Sequence, residues 1–111
     1  MKLPSKVKFI DEKLRETFES LKIGKSEEKE LYEWLESAFK DIEENAFCGI
    51  QIPKKIIPKN YFKRYGVHNL WKYNLPKAWR LLYSIEGSEI IVISIILEWM
   101  DHKKYERKFK Y

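Results

Sequence analysis

The chain has 111 residues, of which 44% are hydrophobic, and a formal net charge of +5. Its length corresponds to a single domain, residues 1–111, and its apolar content suffices for a buried core, which excludes wholesale disorder. The single cysteine, Cys48, excludes a disulfide framework and a zinc site built on several thiolates. The longest apolar run, residues 90–97, is too short to span a bilayer, and the charged N-terminus lacks a signal-peptide core, so we expect a cytoplasmic protein that does not bind membranes.

The first part of the chain predicts one strand and two helices. Residues 6–10 alternate between polar and apolar side chains and then become apolar, which predicts a short strand. Asp11 and Ser26 stand where the N-caps of two successive helices are expected, and Gly24 ends the first helix. The second helix has apolar residues at helical spacing, namely Leu31, Leu35, Ala38, Phe39, Ile42 and Ala46. We therefore expect an antiparallel helical hairpin with an acidic outer surface.

The second part predicts a connection followed by strands. Residues 50–67 include two prolines and one glycine and read as a connection with a short helical turn at residues 60–64. Beyond it the hydrophobic period changes to two, which is typical of strands. The predicted strands cover residues 70–75, 79–85 and 89–97, with a turn at residues 86–88. The tail, residues 101–111, is either a short helix or an extended arm.

This order, β-α-α-β-β-β, predicts an α+β fold. The helical hairpin packs on one face of a small, mainly antiparallel sheet, and we expect the opposite face to be open. Alternation along the strands places Lys72 and Asn74 on one face. If the bulkier side chains face the hairpin, Arg80 of the next strand projects beside them from the open face. The sequence thus predicts a cationic site on a rigid floor.

The charges are distributed in blocks. Residues 11–44 hold twelve Asp or Glu against six Lys or Arg, whereas residues 46–85 hold eight Lys or Arg and no carboxylate. A surface of thermophile type would mix the two signs, so the one-sided block favours a polyanionic partner. Five of its cations lie on the connection, where they would add salt-dependent affinity for RNA phosphates; they are Lys54, Lys55, Lys59, Lys63 and Arg64.

Three C-terminal motifs together resemble the RelE/ParE toxin superfamily. They are the aromatic-Lys strand Trp71-Lys72-Tyr73, the strand Trp79-Arg80-Leu81-Leu82-Tyr83, and, after a long apolar strand, the basic tail Asp101-His102-Lys103-Lys104-Tyr105-Glu106-Arg107. The resemblance implies a RelE-like fold and the toxin of a type II toxin–antitoxin system. Such a toxin is an mRNA interferase, an endoribonuclease that cleaves mRNA in the ribosomal A site, and an antitoxin protein neutralises it. The implied partners are therefore a cognate antitoxin, mRNA and the ribosome with its rRNA.

The resemblance also implies roles for individual residues. Arg80 would hold the scissile phosphate, Lys72 matches a strand lysine of the family, and the late basic and tyrosine positions fall at Lys103 or Lys104 and at Tyr105. From its position beside Arg80, we expect Lys72 to stabilise charge or to transfer a proton. Cleavage of this kind uses no metal or other cofactor, because a ribose 2′-OH attacks the adjacent phosphate with protein groups as base and acid. His102 and Tyr105 are the candidates for base and acid. Asn74 stands where some members have a second basic residue, and we count it with the RNA-binding residues.

Each of these residues also has a structural interpretation. Arg80 could pair with a glutamate of the helices, and Tyr105 could be a tail residue that packs on the sheet. A histidine such as His102 is more often ordinary than catalytic, and Cys48 reads as a small packing residue. Two functions remain as alternatives to the nuclease: a ParE-like toxin that binds a protein target such as gyrase, and a small RNA-binding module without catalysis.

Overall fold

A computed structural model describes residues 2–87 and 92–109 of the chain. These residues form an α+β fold with a mixed five-stranded sheet and four α-helices, which confirms the predicted class. The strands are β1 (Lys6–Phe9), β2 (Ile50–Gln51), β3 (Trp71–Asn74), β4 (Arg80–Gly87) and β5 (Val92–Met100). The helices are α1 (Glu12–Leu21), α2 (Ser26–Glu44), α3 (Lys59–Tyr65) and α4 (His102–Lys108).

The sheet has the order β1-β5-β4-β3-β2. Strands β3, β4 and β5 form the predicted antiparallel meander, with β1 added parallel to β5 at one edge. At the other edge, β2 pairs with β3 through only two residues, which is too short for a sequence pattern to reveal. The predicted turn at residues 86–88 is only partly described, because β4 runs to Gly87 and residues 88–91 lie outside the described ranges.

The helical hairpin covers one face of the sheet, as predicted. Asp11 caps α1, since its carboxylate accepts a hydrogen bond from the Leu14 backbone N–H at 2.8 Å. The N-cap of α2 is Lys25 rather than the predicted Ser26, which becomes the first helical residue. All six apolar positions of the predicted stripe are buried. Although α2 has 19 residues, no helix among those described is long and apolar enough to cross a membrane.

The opposite face of the sheet is not open, and this corrects the sequence-based expectation. Two segments fold over this face: the connection between β2 and β3, which includes α3, and the tail, which forms α4. Together they create a second hydrophobic core. That core consists of Ile52, Ile57, Tyr61, Val67, Leu70, Leu82, Leu97, Met100, Tyr105 and Phe109. The apolar residues of these two segments are too irregularly spaced to give a clear period, but together they suffice to cover the sheet. Of the two predicted alternatives for the tail, the helix is the one observed, with Asp101 as its N-cap.

Strand β5 contains a β-bulge that changes which face its last residues occupy. Leu82 pairs with Glu98 whereas Tyr83 pairs with Ile96, so that Leu97 is an extra residue on β5. The strand continues to Met100, three residues beyond its predicted end. Because of the bulge, Leu97 and Glu98 both face the second core instead of alternating across the sheet.

Candidate functional site

Lys72 of β3 and Arg80 of β4 lie together on the sheet face that is opposite the hairpin. Lys72 pairs with Leu82, a residue of the second core, and Arg80 is two residues before Leu82 on the same strand. The Lys72 Nζ is 5.1 Å from the centroid of the Tyr105 ring, and the Arg80 Cζ is 5.5 Å from the same centroid. Strand alternation therefore predicted correctly that the two cations share a face, and we call these three residues the cationic site.

The ring of Tyr105 supports both cations. Tyr105 is only 2% exposed, and its ring stacks on that of Phe109 with the centroids 4.8 Å apart. The face of an aromatic ring attracts a cation with about 0.5–2 kcal/mol, which offsets part of the repulsion between two like charges held side by side. Tyr105 therefore packs in the second core, which is one of its two interpretations, and its ring also contacts both cations.

Arg80 does not pair with a glutamate of the hairpin, so this structural interpretation is wrong. Its Nη1 donates a hydrogen bond to the Trp79 carbonyl oxygen at 3.2 Å, and its Nε is buried without a hydrogen-bond partner. Within residues 2–87 and 92–109 the guanidinium takes part in no ion pair. A buried N–H that lacks a partner is unfavourable. Because no described carboxylate pairs with the guanidinium, its charge is suited to an anionic ligand.

Glu98 is a nearly buried carboxylate at the edge of the cationic site, and the sequence analysis missed it. Lys72, Leu82 and Glu98 lie in one row across three adjacent strands. The Glu98 side chain is 14% exposed and accepts hydrogen bonds from the hydroxyls of Tyr61 and Tyr65, both on α3. From α4, the Nζ of Lys108 is 3.4 Å and that of Lys104 is 3.9 Å from its Oε1. One carboxylate thus links both covering helices to the sheet.

The tyrosine hydroxyls of this network are held in the protonated form. Burial is the largest cause that raises the pKa of Tyr61, and the hydrogen bond to Glu98 raises it further. Burial also raises the pKa of Tyr65, and the charge of Glu98 acts in the same direction. Both hydroxyls therefore remain hydrogen-bond donors to the carboxylate at any physiological pH.

His102 is the first residue of α4 and lies one turn before Tyr105. Its Nε2 is 2.9 Å from the Oε1 of Glu106, and both side chains are about half exposed. A histidine that contacts a carboxylate through one nitrogen keeps the other for proton transfer. Lys103 follows on the helix and is exposed. His68, in contrast, lies in a loop, where its Nδ1 is 2.7 Å from the Oε1 of Glu86.

The other predicted RNA-binding residues lie on elements that are on the same side of the sheet as the cationic site. Asn74 pairs with Arg80 across the strands and is exposed. The five cations of the connection are exposed on α3 and on the 3₁₀ turn that precedes it; they are Lys54, Lys55, Lys59, Lys63 and Arg64. Since α3 and α4 both pack on the second core, the sheet separates a basic side of the molecule from the acidic side formed by the hairpin.

Cys48 is exposed, so the prediction that it is a packing residue is wrong. It lies in a 3₁₀ turn, Ala46–Cys48, that follows α2, and Ala46 is the buried residue of this turn. Partial burial is the largest cause that raises the pKa of its thiol, and the carboxylate of Asp41 raises it further. These surroundings disfavour a thiolate.

Comparisons of the chain with protein-family models, with curated proteins and with solved structures give no match.

Proposed function

We propose that this protein binds RNA over the cationic site and cleaves its backbone, as a RelE-like toxin that acts on mRNA in the ribosome. One observation carries the proposal: two cations from neighbouring strands lie within 5.5 Å of the centre of one buried ring, on the side of the molecule that also holds the other predicted RNA-binding cations. The proposal rests on this geometry and on the resemblance of the motifs that contain these residues.

The first step is the binding of a phosphate by Arg80 and Lys72. The guanidinium presents several N–H donors in a plane, which matches two oxygens of one phosphate. Lys72 adds a positive charge from the adjacent strand. As the 2′-oxygen attacks, negative charge accumulates on the phosphate, and fixed cations on a rigid sheet stabilise that charge without reorganisation.

The second step is proton transfer, which we assign to His102, one helical turn before Tyr105 on α4. His102 accepts the proton of the ribose 2′-OH, while Glu106 orients the ring and stabilises the imidazolium. The 2′-oxygen forms a bond to phosphorus, and the bond from phosphorus to the 5′-oxygen breaks. The products are a 2′,3′-cyclic phosphate and a 5′-hydroxyl, whose proton comes from Lys72 or from the Tyr105 hydroxyl.

The biological setting follows the same hypothesis. The exposed cations of α3 and of the preceding turn would contact rRNA or mRNA phosphates and make association strongly salt-dependent. A cognate antitoxin with an acidic or amphipathic segment would neutralise the toxin by covering this basic side.

A reconstituted translation assay tests the proposal. The protein is added to ribosomes that translate a defined mRNA, RNA 5′ ends are mapped by primer extension, and cyclic phosphate is detected at the new 3′ ends. We expect ribosome-dependent cleavage, and Arg80→Ala should reduce its rate about 10²–10³-fold. The matched control is Arg15→Ala, an exposed arginine on α1, on the acidic side of the molecule, which should cleave at the unaltered rate.

Three outcomes contradict the proposal. Inhibition of growth or of gyrase without RNA cleavage would support the ParE-like alternative, and RNA binding without cleavage or inhibition would support the non-catalytic module. Full cleavage by folded Arg80→Ala would show that the cationic site is not where the reaction takes place.

A further inference from the structure

A second site lies on the hairpin side of the sheet, away from the cationic site. It is a cavity of about 210 Å³ between α2 and the turn that joins β3 to β4. Its walls combine two indoles, two carboxylates, one lysine and one leucine, contributed by Glu27, Glu30, Leu31, Trp34, Lys77 and Trp79. We call it the tryptophan pocket. Nothing in the proposed nuclease reaction uses it.

The size and the chemistry of the tryptophan pocket restrict what it can bind. Pockets for small molecules and cofactors usually measure about 300–1,000 Å³, so this cavity fits a single side chain better. Trp34 and Trp79 are partly buried and pack against the hydrophobic core between the hairpin and the sheet. An indole face is the strongest aromatic binder of cations, and carboxylates beside it add attraction of the same sign. The lining therefore favours a positively charged group.

The pocket already holds a cation of this chain, but loosely. The Nζ of Lys77 is 5.9 Å from the centre of the Trp34 ring and 3.8 Å from the Oε1 of Glu30. Both distances are long for strong interactions, and the Lys77 side chain is 71% exposed. An incoming cation could displace it at little cost, because exposed pairs of this kind contribute only a small fraction of a protein's stability.

The turn that carries Lys77 has an uncommon backbone. Lys77 and Ala78 have φ angles of 54° and 61°, and neither is a glycine. Two consecutive L-residues in the left-handed region are unfavourable, and such conformations concentrate at binding sites. Here the conformation sets Lys77 and Trp79 beside α2 and thereby closes one side of the tryptophan pocket.

We propose that the tryptophan pocket binds an arginine or lysine side chain from a basic segment of a partner protein, which replaces Lys77. The charge of this region favours such an occupant: residues 11–44 hold twelve carboxylates against six cations, the carboxylates on α2 are exposed, and two of them, Glu27 and Glu30, line the pocket. A basic segment can therefore contact the acidic surface of α2 while one of its side chains enters between the indoles. This site is independent of the proposed nuclease, since it lies on the other side of the sheet.

Binding of a short peptide tests the proposal. The uniformly ¹⁵N-labelled protein is titrated with acetyl-Gly-Gly-Arg-Gly-Gly-amide, and the indole N–H signals of Trp34 and Trp79 are followed by NMR. We expect both signals to shift with a dissociation constant in the millimolar range. The peptide with citrulline in place of arginine has the same shape without the charge, and it should bind at least about fivefold more weakly. Equal affinity for the two peptides, or no shift of either indole signal, would overturn the proposal.

Variants and a small cation complete the test. Lys77→Ala removes the resident cation and should tighten binding up to about fivefold, whereas Lys40→Ala, an equal charge change on an exposed α2 residue that does not line the pocket, should not. Glu30→Gln should weaken binding without affecting folding. If methylguanidinium binds as tightly as the peptide, the pocket recognises free cations and not a protein segment. Unchanged RNA cleavage by these variants keeps this result separate from that of the nuclease assay.

Discussion

Replacement of Glu98 by leucine tests whether one carboxylate holds α3 and α4 on the sheet. The substitution removes the acceptor of the Tyr61 hydroxyl, and Tyr61 is only 4% exposed. The loss of a buried hydrogen bond to a charged acceptor costs about 1.5–3 kcal/mol. The loss of the ion pairs between Glu98 and the partly exposed Lys104 and Lys108 costs about 0–1 kcal/mol more, and burial of the leucine methyl groups restores about 1 kcal/mol of stability. We expect the free energy of unfolding to fall by about 0.5–3 kcal/mol, which lowers the Tm by about 2–12 °C for a domain of this size.

The measurement is urea and thermal unfolding followed by far-UV circular dichroism. The matched control is Glu106→Gln, which removes a half-exposed carboxylate on α4 and should change stability by less than about 0.5 kcal/mol. A double-mutant cycle with Tyr61→Phe isolates the contact itself, and its coupling energy should exceed about 1 kcal/mol. If Glu98→Leu is as stable as the unaltered protein, or if the two changes are additive, the carboxylate does not hold the helices and the reasoning fails.

Three other changes in stability follow from the structure. Burial is the largest cause that raises the pKa values of Tyr61, Tyr73 and Tyr83, so the folded protein keeps these protons to higher pH than the unfolded chain does. The free energy of unfolding should therefore be at its full value below about pH 10 and fall above it. Urea titrations at several pH values should show a smaller decline for Tyr61→Phe. Gly49→Ala should lower the free energy of unfolding by about 1–3 kcal/mol, because the new Cβ would lie 2.6 Å from the Tyr83 hydroxyl oxygen; an unchanged Tm would contradict this packing. Ala78→Gly should raise that free energy by about 0.5–1 kcal/mol, since glycine adopts the left-handed conformation freely, and a decrease would argue against the observed turn.

The parts of the fold that follow from periodicity could be predicted from the sequence. The α2 stripe has strong helical spacing, and alternation in β3 and β4 was enough to place Lys72 and Arg80 on one face. Both features depend on neighbouring residues within one element. For such features the local pattern and the final packing agree, because one side of each element has to be buried.

The second core could not be predicted, because its residues do not follow a clear period within one element. Its covering segments are short and irregular, and Pro53 and Pro58 interrupt the first of them, so no period shows that they pack on the sheet. The position of Glu98 was equally inaccessible, because it depends on a β-bulge, and a bulge appears only in the register between two strands. The signal for Glu98 in the sequence was a single carboxylate between large apolar residues.

The bulge connects these features to the cationic site. In a regular β5, Ile96 and Glu98 would share the face that packs on the hairpin, and the carboxylate would lie in the apolar core. The extra residue at Leu97 turns Glu98 to the other face, where α3 supplies two hydroxyls and α4 two ammonium groups. The same α4 carries Tyr105, and its ring sets the position of both cations.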